Sequence, residues 1–204
     1  MIQTISITAA LAVSSLAAST VPQVPTLAEE KAEEKVEEVK KEVITYVNRW
    51  TLPNATENER VVLEAIQDRG ITDKYAIATI MGNIKQESRF HSNICEGGAR
   101  IHYSNCHRGG YGLIQWTTVG RYNGLGNHAR RIGHDPSTTT AQISYLFTEH
   151  QWKSIEPALR SGGRSISYYM NKAYRWLGWG HHGRRTQYSH QYAARLVSVK
   201  VPAK

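Results

Sequence analysis

Thr72-Asp73-Lys74-Tyr75-Ala76-Ile77-Ala78-Thr79-Ile80-Met81-Gly82-Asn83-Ile84-Lys85-Gln86-Glu87-Ser88 is the stretch on which the reading of this chain turns. Ile77, Ile80, Met81 and Ile84 recur at i, i+3, i+4 and i+7, the spacing of one apolar helix face. Glu87 falls three residues further along that face. Thr72 suits the N-cap of this helix, with Asp73 favourable in its first turn. A carboxyl in partly dry surroundings holds a proton more readily than one in water, and a protonated carboxyl can act as a general acid. The competing reading has Glu87 end the helix at the surface, turned to solvent or paired with Lys85, Arg89 or another cation.

Outward from this helix the pattern stays helical with one interruption. Glu57 to Asp68 reads as a helix with Val62, Ala65 and Ile66 inward, closed by Gly70. Phe90 to Thr117 lacks helical period, is rich in Gly, and is expected to hold turns and a short β-hairpin. Thr138 to His150 places Ile143, Leu146, Phe147 and His150 on one face and Gln142, Tyr145 and Glu149 on the next. Ile166 to Leu177 carries Ile166, Tyr169, Met170, Ala173 and Leu177 inward, and a last helix is expected over about Thr186 to Ser198. Helices around a small irregular β region define an α+β fold, mainly α.

A chain of 204 residues with 40% hydrophobic content supports one ordinary core. Residues 1–28 contain no charged side chain, and Ile5 to Leu16 is apolar with small residues following. This resembles a secretory signal segment, cleaved near Ala18 or Ala28; it is too rich in Ser and Thr for a permanent membrane span, and a releasable anchor is the alternative. Residues 29–52 read as a charged helical linker. Seven Glu and four Lys crowd into 29–42, and Ala32, Val36, Val39, Val43, Tyr46 and Trp50 draw a narrow stripe that suits either a solvated linker or a docking helix. Thr51-Leu52-Pro53-Asn54 breaks the pattern, so the folded domain is assigned to 53–204.

Of 25 basic and 17 acidic residues, removal of that linker cluster leaves 21 and 10, a net +11 on the remainder. Such a body suits a polyanionic partner, and bacterial walls carry carboxylates and phosphate-bearing polymers. Nucleic acid would answer the same charge at Arg130-Arg131 or His181-His182-Gly183-Arg184-Arg185, but no recognisable nucleic-acid motif accompanies those patches.

Cys95 and Cys106 enclose ten residues, and an even cysteine count in an exported chain favours a disulfide. The alternatives are free thiols or a zinc site drawing on His91, His102 or His107 with the two thiolates. No metal or cofactor is expected.

Gly82-Asn83-Ile84-Lys85-Gln86-Glu87-Ser88, then Gly112-Leu113-Ile114-Gln115-Trp116-Thr117, then Gln142 and Glu149, together resemble the phage tail lysozyme family. That family lies in the lysozyme-like superfamily, near goose-type lysozymes and lytic transglycosylases, and the resemblance runs from about 58 to 197. It implies a muramidase cutting β-1,4 bonds between N-acetylmuramic acid and N-acetylglucosamine of bacterial peptidoglycan, with Glu87 as general acid. It also implies that Gly112 to Trp116 walls the glycan cleft with Gln115 facing the sugar. The acidic residue and proline that often follow the penultimate helix in such proteins are not evident after Tyr174.

The second carboxylate is expected at Glu149, which matches an acidic position of that family, with Glu96 and Asp135 as alternatives. If none approaches, the resemblance implies a transglycosylase in which Glu87 acts alone and the sugar's own 6-hydroxyl attacks. Tyr111, Gln115 and Trp116 are the expected sugar contacts, since amides hydrogen-bond hydroxyls and aromatic faces cover pyranoses; core burial is the alternative for Trp116. Tyr174 is expected to border the site by analogy with transglycosylases, and Ser88 to support Glu87 by a hydrogen bond. Peptidoglycan is the expected partner, with other virion proteins reached through the N-terminal helix, and action is expected from an exported or virion-associated position in the periplasm or at the wall. A non-catalytic wall-binding or nucleic-acid-binding structural protein is the alternative from another class.

Overall fold

The computed structural model describes residues 3–4, 45–107, 109–178 and 180–203. The expected signal segment, apart from residues 3–4, and the charge cluster at 29–42 lie outside the described residues. The chain divides into two compact units, Met1–Asn48 with Lys200–Lys204, and Arg49–Val199. Three short strands, β1 (Gln3–Thr4), β2 (Thr45–Thr51) and β3 (Val197–Pro202), follow the order β1-β2-β3. In the smaller unit β1 runs antiparallel to β2 with Gln3 opposite Tyr46, and Ala203 N donates to Thr45 O at 2.7 Å. Tyr46 and Trp50, expected on a helical stripe, therefore stand in a strand. Val47 and Thr45 are β-branched and Tyr46 and Trp50 aromatic, residues that fit a pleated surface better than a helix.

The larger unit is helical: α1 (Glu57–Asp68), α2 (Lys74–Ser88), α3 (Val119–Arg131), α4 (Thr139–Leu146), α5 (His150–Ser161), α6 (Ile166–Leu177) and α7 (His182–Arg195). With the three strands this is the expected α+β fold, mainly α. α1 opens on a capping box in which Thr56 and Glu59 each satisfy the other's backbone N–H. Val62, Leu63 and Ile66 are buried beneath it. Asp73, rather than Thr72, caps α2, because its carboxylate accepts from both Tyr75 N and Ala76 N at 2.9 Å. Thr72 instead offers its carbonyl to Trp50 Nε1.

Ile77, Ile80, Met81 and Ile84 are all buried, as the stripe requires. Each such side chain contributes roughly 1.5–3 kcal/mol on full burial, enough to hold α2 as the central helix. α7 packs antiparallel along it, and α6 packs against both.

Three elements depart from expectation. The helix read over Thr138 to His150 is two: α4 ends at Leu146, and Glu149 adopts extended backbone as the N-cap of α5. α3 was not anticipated, because Gly120, Gly124 and Gly126 mask its period. Two of these glycines make room for hydroxyls: a methyl on Gly124 would meet Tyr145 Oη at 2.1 Å, and one on Gly126 would meet Tyr103 Oη at 2.5 Å. The last helix begins earlier, at His182, and ends at Arg195, after which the chain extends into β3.

Candidate active site

Glu87 occupies the last turn of α2, its side chain 16% exposed. Arg89 and Phe90 follow in left-handed backbone, φ 53° and 66°, which turns the chain sharply away from the helix axis. The carboxylate meets the Arg185 guanidinium of α7, Nη2 to Oε1, at 2.5 Å. Arg185 is itself buried, only 5% exposed, and its other nitrogens reach Gly180 O and the carbonyl and side-chain oxygens of Asn83. Glu87 thus faces inward and is paired, and the partner comes from 98 positions along the chain rather than from Lys85 or Arg89.

Asn83 completes the platform. Its amide nitrogen donates to Thr79 O and reaches Met170 Sδ of α6, leaving its oxygen to Arg185. The basic run at 181–185 is thereby split, and Arg185 is withdrawn from any surface partner.

Ser88 does not support Glu87 in the expected way. Its hydroxyl donates to Leu113 O at 2.9 Å and accepts from Phe90 N, tying the end of α2 to the Gly112–Trp116 segment. That segment is a tight hairpin: Tyr111 and Trp116 exchange both backbone hydrogen bonds, and Gln115 N closes onto Gly112 O. Gly112 has φ 72°, and a methyl there would lie 2.4 Å from Gln142 Oε1, so both backbone and space require glycine.

Gln142 is wholly buried and joins three segments, accepting from Leu113 N and donating to Ser92 O and Pro136 O. Gln115 turns its amide nitrogen back to Gly112 O and Ile94 O, using it to hold the hairpin. Tyr111 and Trp116 are 0% exposed. Neither offers a face to a sugar; their rings are the floor on which the hairpin sits.

Each of the three candidate second carboxylates has a partner. Glu149 is buried, and both of its oxygens are gripped by Arg121 of α3 at 2.7 and 2.9 Å. Glu96 is exposed and accepts from Gly110 N at 2.9 Å, folded over Gly109. Asp135 pairs with His102 at 3.2 Å. Burial would raise the Asp135 carboxyl, but hydrogen bonds from Ser137 and His102 hold it below its ordinary range.

Cys95 and Cys106 are joined in a disulfide. The sulfurs are therefore not available as thiolates, which removes the zinc alternative. Tyr122 donates to Cys106 O and Tyr103 O from beneath this loop, and burial, then Tyr103 and Tyr111 beside it, push its hydroxyl up to about 12.

A cleft of about 450 Å³ opens beside the bridge, lined by Tyr103, His107, Thr117, Val119, Tyr122 and Asn123 among others. It adjoins the Thr117 end of the hairpin, and Glu87 is not on its lining. Tyr174 is 55% exposed on α6. No sequence signal pointed to Arg185 or Arg121 as the partner of a buried glutamate, because an arginine's role in this chain depends on which helix packs against its own.

The domain is mainly helical, with an inward glutamate at the end of its central helix beside a glycine-dependent hairpin. The sequence model of the phage tail lysozyme family matches residues 57–193, and the chain belongs to that family. In general terms it is a phage-associated, lysozyme-like peptidoglycan hydrolase that acts on the cell wall. No curated protein and no solved structure matches the chain. Among the described residues no helix is long and apolar enough to cross a membrane.

Proposed function

We propose that the protein is a muramidase cleaving the β-1,4 bond between N-acetylmuramic acid and N-acetylglucosamine, with Glu87 as the general acid. The observation that carries this reading is the Glu87–Arg185 pair, an inward carboxyl held by a buried guanidinium at the end of α2. Glycoside cleavage needs a proton delivered to the leaving oxygen while positive charge grows on the sugar. In this scheme Glu87 delivers the proton through the carboxyl oxygen that is not bonded to Arg185. When the proton leaves, the new negative charge is met at once by the guanidinium, which needs no rearrangement to receive it.

The second group is the point at which two readings part. Glu149 was the expected choice, yet both its oxygens are committed to Arg121, which supports a structural role in joining α3 to the start of α5. Glu96 is the better candidate for activating water, because its carboxylate is exposed and held by a single backbone N–H. The engagement of Glu149 and Asp135 favours the second reading, a transglycosylase in which Glu87 works alone and the 6-hydroxyl attacks.

Digestion of purified peptidoglycan followed by mass spectrometry separates them. Reducing ends with one added water per cut support hydrolysis; anhydro-muramic ends support the transglycosylase. Lysis that persists in Glu87→Gln removes this residue from either scheme.

A further inference from the structure

From Pro157 to Lys204 the chain contains no Asp or Glu. Tyr168, Lys172 and Arg175 follow one another at intervals of four and three along one face of α6, and Arg164, just before its N-cap Ser165, lies over the Tyr168 ring to extend the strip. Arg164 and Arg175 are exposed and Lys172 and Tyr168 half-buried. Among the described residues none of the three cations forms an ion pair with a carboxylate. Arg164 lies 5.6 Å and Lys172 5.2 Å from the centre of the Tyr168 ring, which holds the two long side chains in place. The opposite side of α6 is fixed to the core by Ile166, Tyr169, Met170, Ala173 and Trp176, so the strip has a rigid base.

We infer that this strip is a docking surface for the phosphodiester polymer of bacterial walls, a polyol-phosphate chain, separate from the Glu87 site. The inference rests on the reading of the wall as the target and adds the polymer by which the enzyme is held there. Three cations without an ion pair, Lys172 and Arg175 on α6 and Arg164 just before it, match a linear chain that repeats one negative charge along its length. Each phosphate neutralised releases a counterion, so binding gains entropy and weakens with salt.

The stem carboxylates of peptidoglycan hang from a cross-linked mesh and do not present such a line. Single-stranded nucleic acid does, but it binds by stacking bases on free aromatic faces. The aromatic within this strip, Tyr168, already has its ring occupied by two cations.

Binding is measured in the cold with the Glu87→Gln protein, and soluble wall fragments are followed in parallel, so that any residual digestion is told apart from a loss of binding. Cosedimentation compares native walls with walls stripped of their phosphodiester polymer, and soluble poly(glycerol phosphate) serves as competitor. In this background R164Q/K172Q/R175Q is expected to lower affinity for native walls about ten-fold or more, to flatten the salt dependence, and to leave binding to stripped walls unchanged. Thermal melts verify that the triple variant is folded.

The inference is overturned if the triple variant binds native walls as tightly as its parent. It is equally overturned if the loss is as large on stripped walls, which would assign the strip to peptidoglycan carboxylates. A control, R60Q/R130Q/K153Q, removes the same charge from exposed positions elsewhere; an equal loss there would make net charge, not this strip, responsible. Stronger competition by single-stranded poly(dT) of matched charge than by poly(glycerol phosphate) would assign the strip to nucleic acid.

Discussion

Gly82 of α2 and Ser189 of α7 touch so closely that a methyl on Gly82 would stand 2.5 Å from both Ser189 N and Ser189 Oγ. No other residue lets the two backbones approach to this distance. One turn further along α2, and one turn back along α7, lie Glu87 and Arg185, whose bond is the centre of the site. The closeness of the helices at Gly82 therefore sets the reach between the catalytic candidate and its partner.

Gly82→Ala should lower stability by about 1–3 kcal/mol, the usual cost of overpacking against backbone that cannot yield. It should also reduce wall lysis per folded molecule, because separating α2 from α7 lengthens the Glu87–Arg185 distance. Melting temperature and a turbidity assay check both; unchanged values in the two assays would show that the crossing is not tight.

Arg185→Met should be more damaging to stability than Glu87→Gln. The first strands an inward carboxylate at a cost of roughly 3–5 kcal/mol, while the second keeps an amide that can still accept from Arg185. The double variant should recover part of that loss, giving a coupling of about 0.5–3 kcal/mol in a double-mutant cycle. Additive losses would mean that the two side chains do not interact in solution.

Arg121→Met should destabilise the fold without changing which products form. Glu149 is buried and its two oxygens have this one guanidinium as their partner in the α3 to α5 junction. Chemical denaturation checks the first point and product mass spectrometry the second. A change in product type would place Glu149 in the reaction.

Reduction of the Cys95–Cys106 bridge should cost about 3 kcal/mol by releasing a short loop in the unfolded chain. The native protein should show no free thiol on titration, and Cys95→Ser/Cys106→Ser should melt at lower temperature. Two titratable thiols in freshly purified protein would contradict the bridge.

Glu59 links stability to pH. Burial raises its carboxyl, but hydrogen bonds from Tyr192 and Thr56 and the charge of Arg195 outweigh it, so the folded value lies below the ordinary one. A carboxyl lowered on folding adds stability that is complete above the unfolded value, about 4.3, and is lost as pH falls through the folded one. The gap in melting temperature between wild type and Glu59→Gln should therefore be widest above about pH 5 and narrow on acidification. A gap that stays constant from neutral pH downward would exclude this linkage.

Residues close in sequence carried much of the fold. α1, α2 and α6 were readable because their inward residues recur at three and four, a spacing that burial on one face demands of any helix. The pairing of Cys95 with Cys106 was expected from the even cysteine count, and the inward aim of Glu87 was one of two readings that the α2 stripe left open. α3 was hidden because its glycines serve neighbours far along the chain, the hydroxyls of Tyr103 and Tyr145. The break at Glu149 was hidden because Arg121, which grips it, belongs to a different helix.

Composition and periodicity alone thus determined a single mainly helical core and its excess of positive charge, and set Glu87 in line with the apolar face of the central helix, with inward and surface readings both open. Only tertiary packing decided that Arg185 would meet this glutamate, that Glu149 would be bound to Arg121, and that Tyr111 and Trp116 would lie under the hairpin instead of lining a cleft. The reason is physical: periodicity reports which face of an element avoids water, whereas the partner of a buried charge is chosen by helices whose contact residues lie far apart along the chain, 98 positions for Glu87 and Arg185 and 133 for Glu59 and Tyr192.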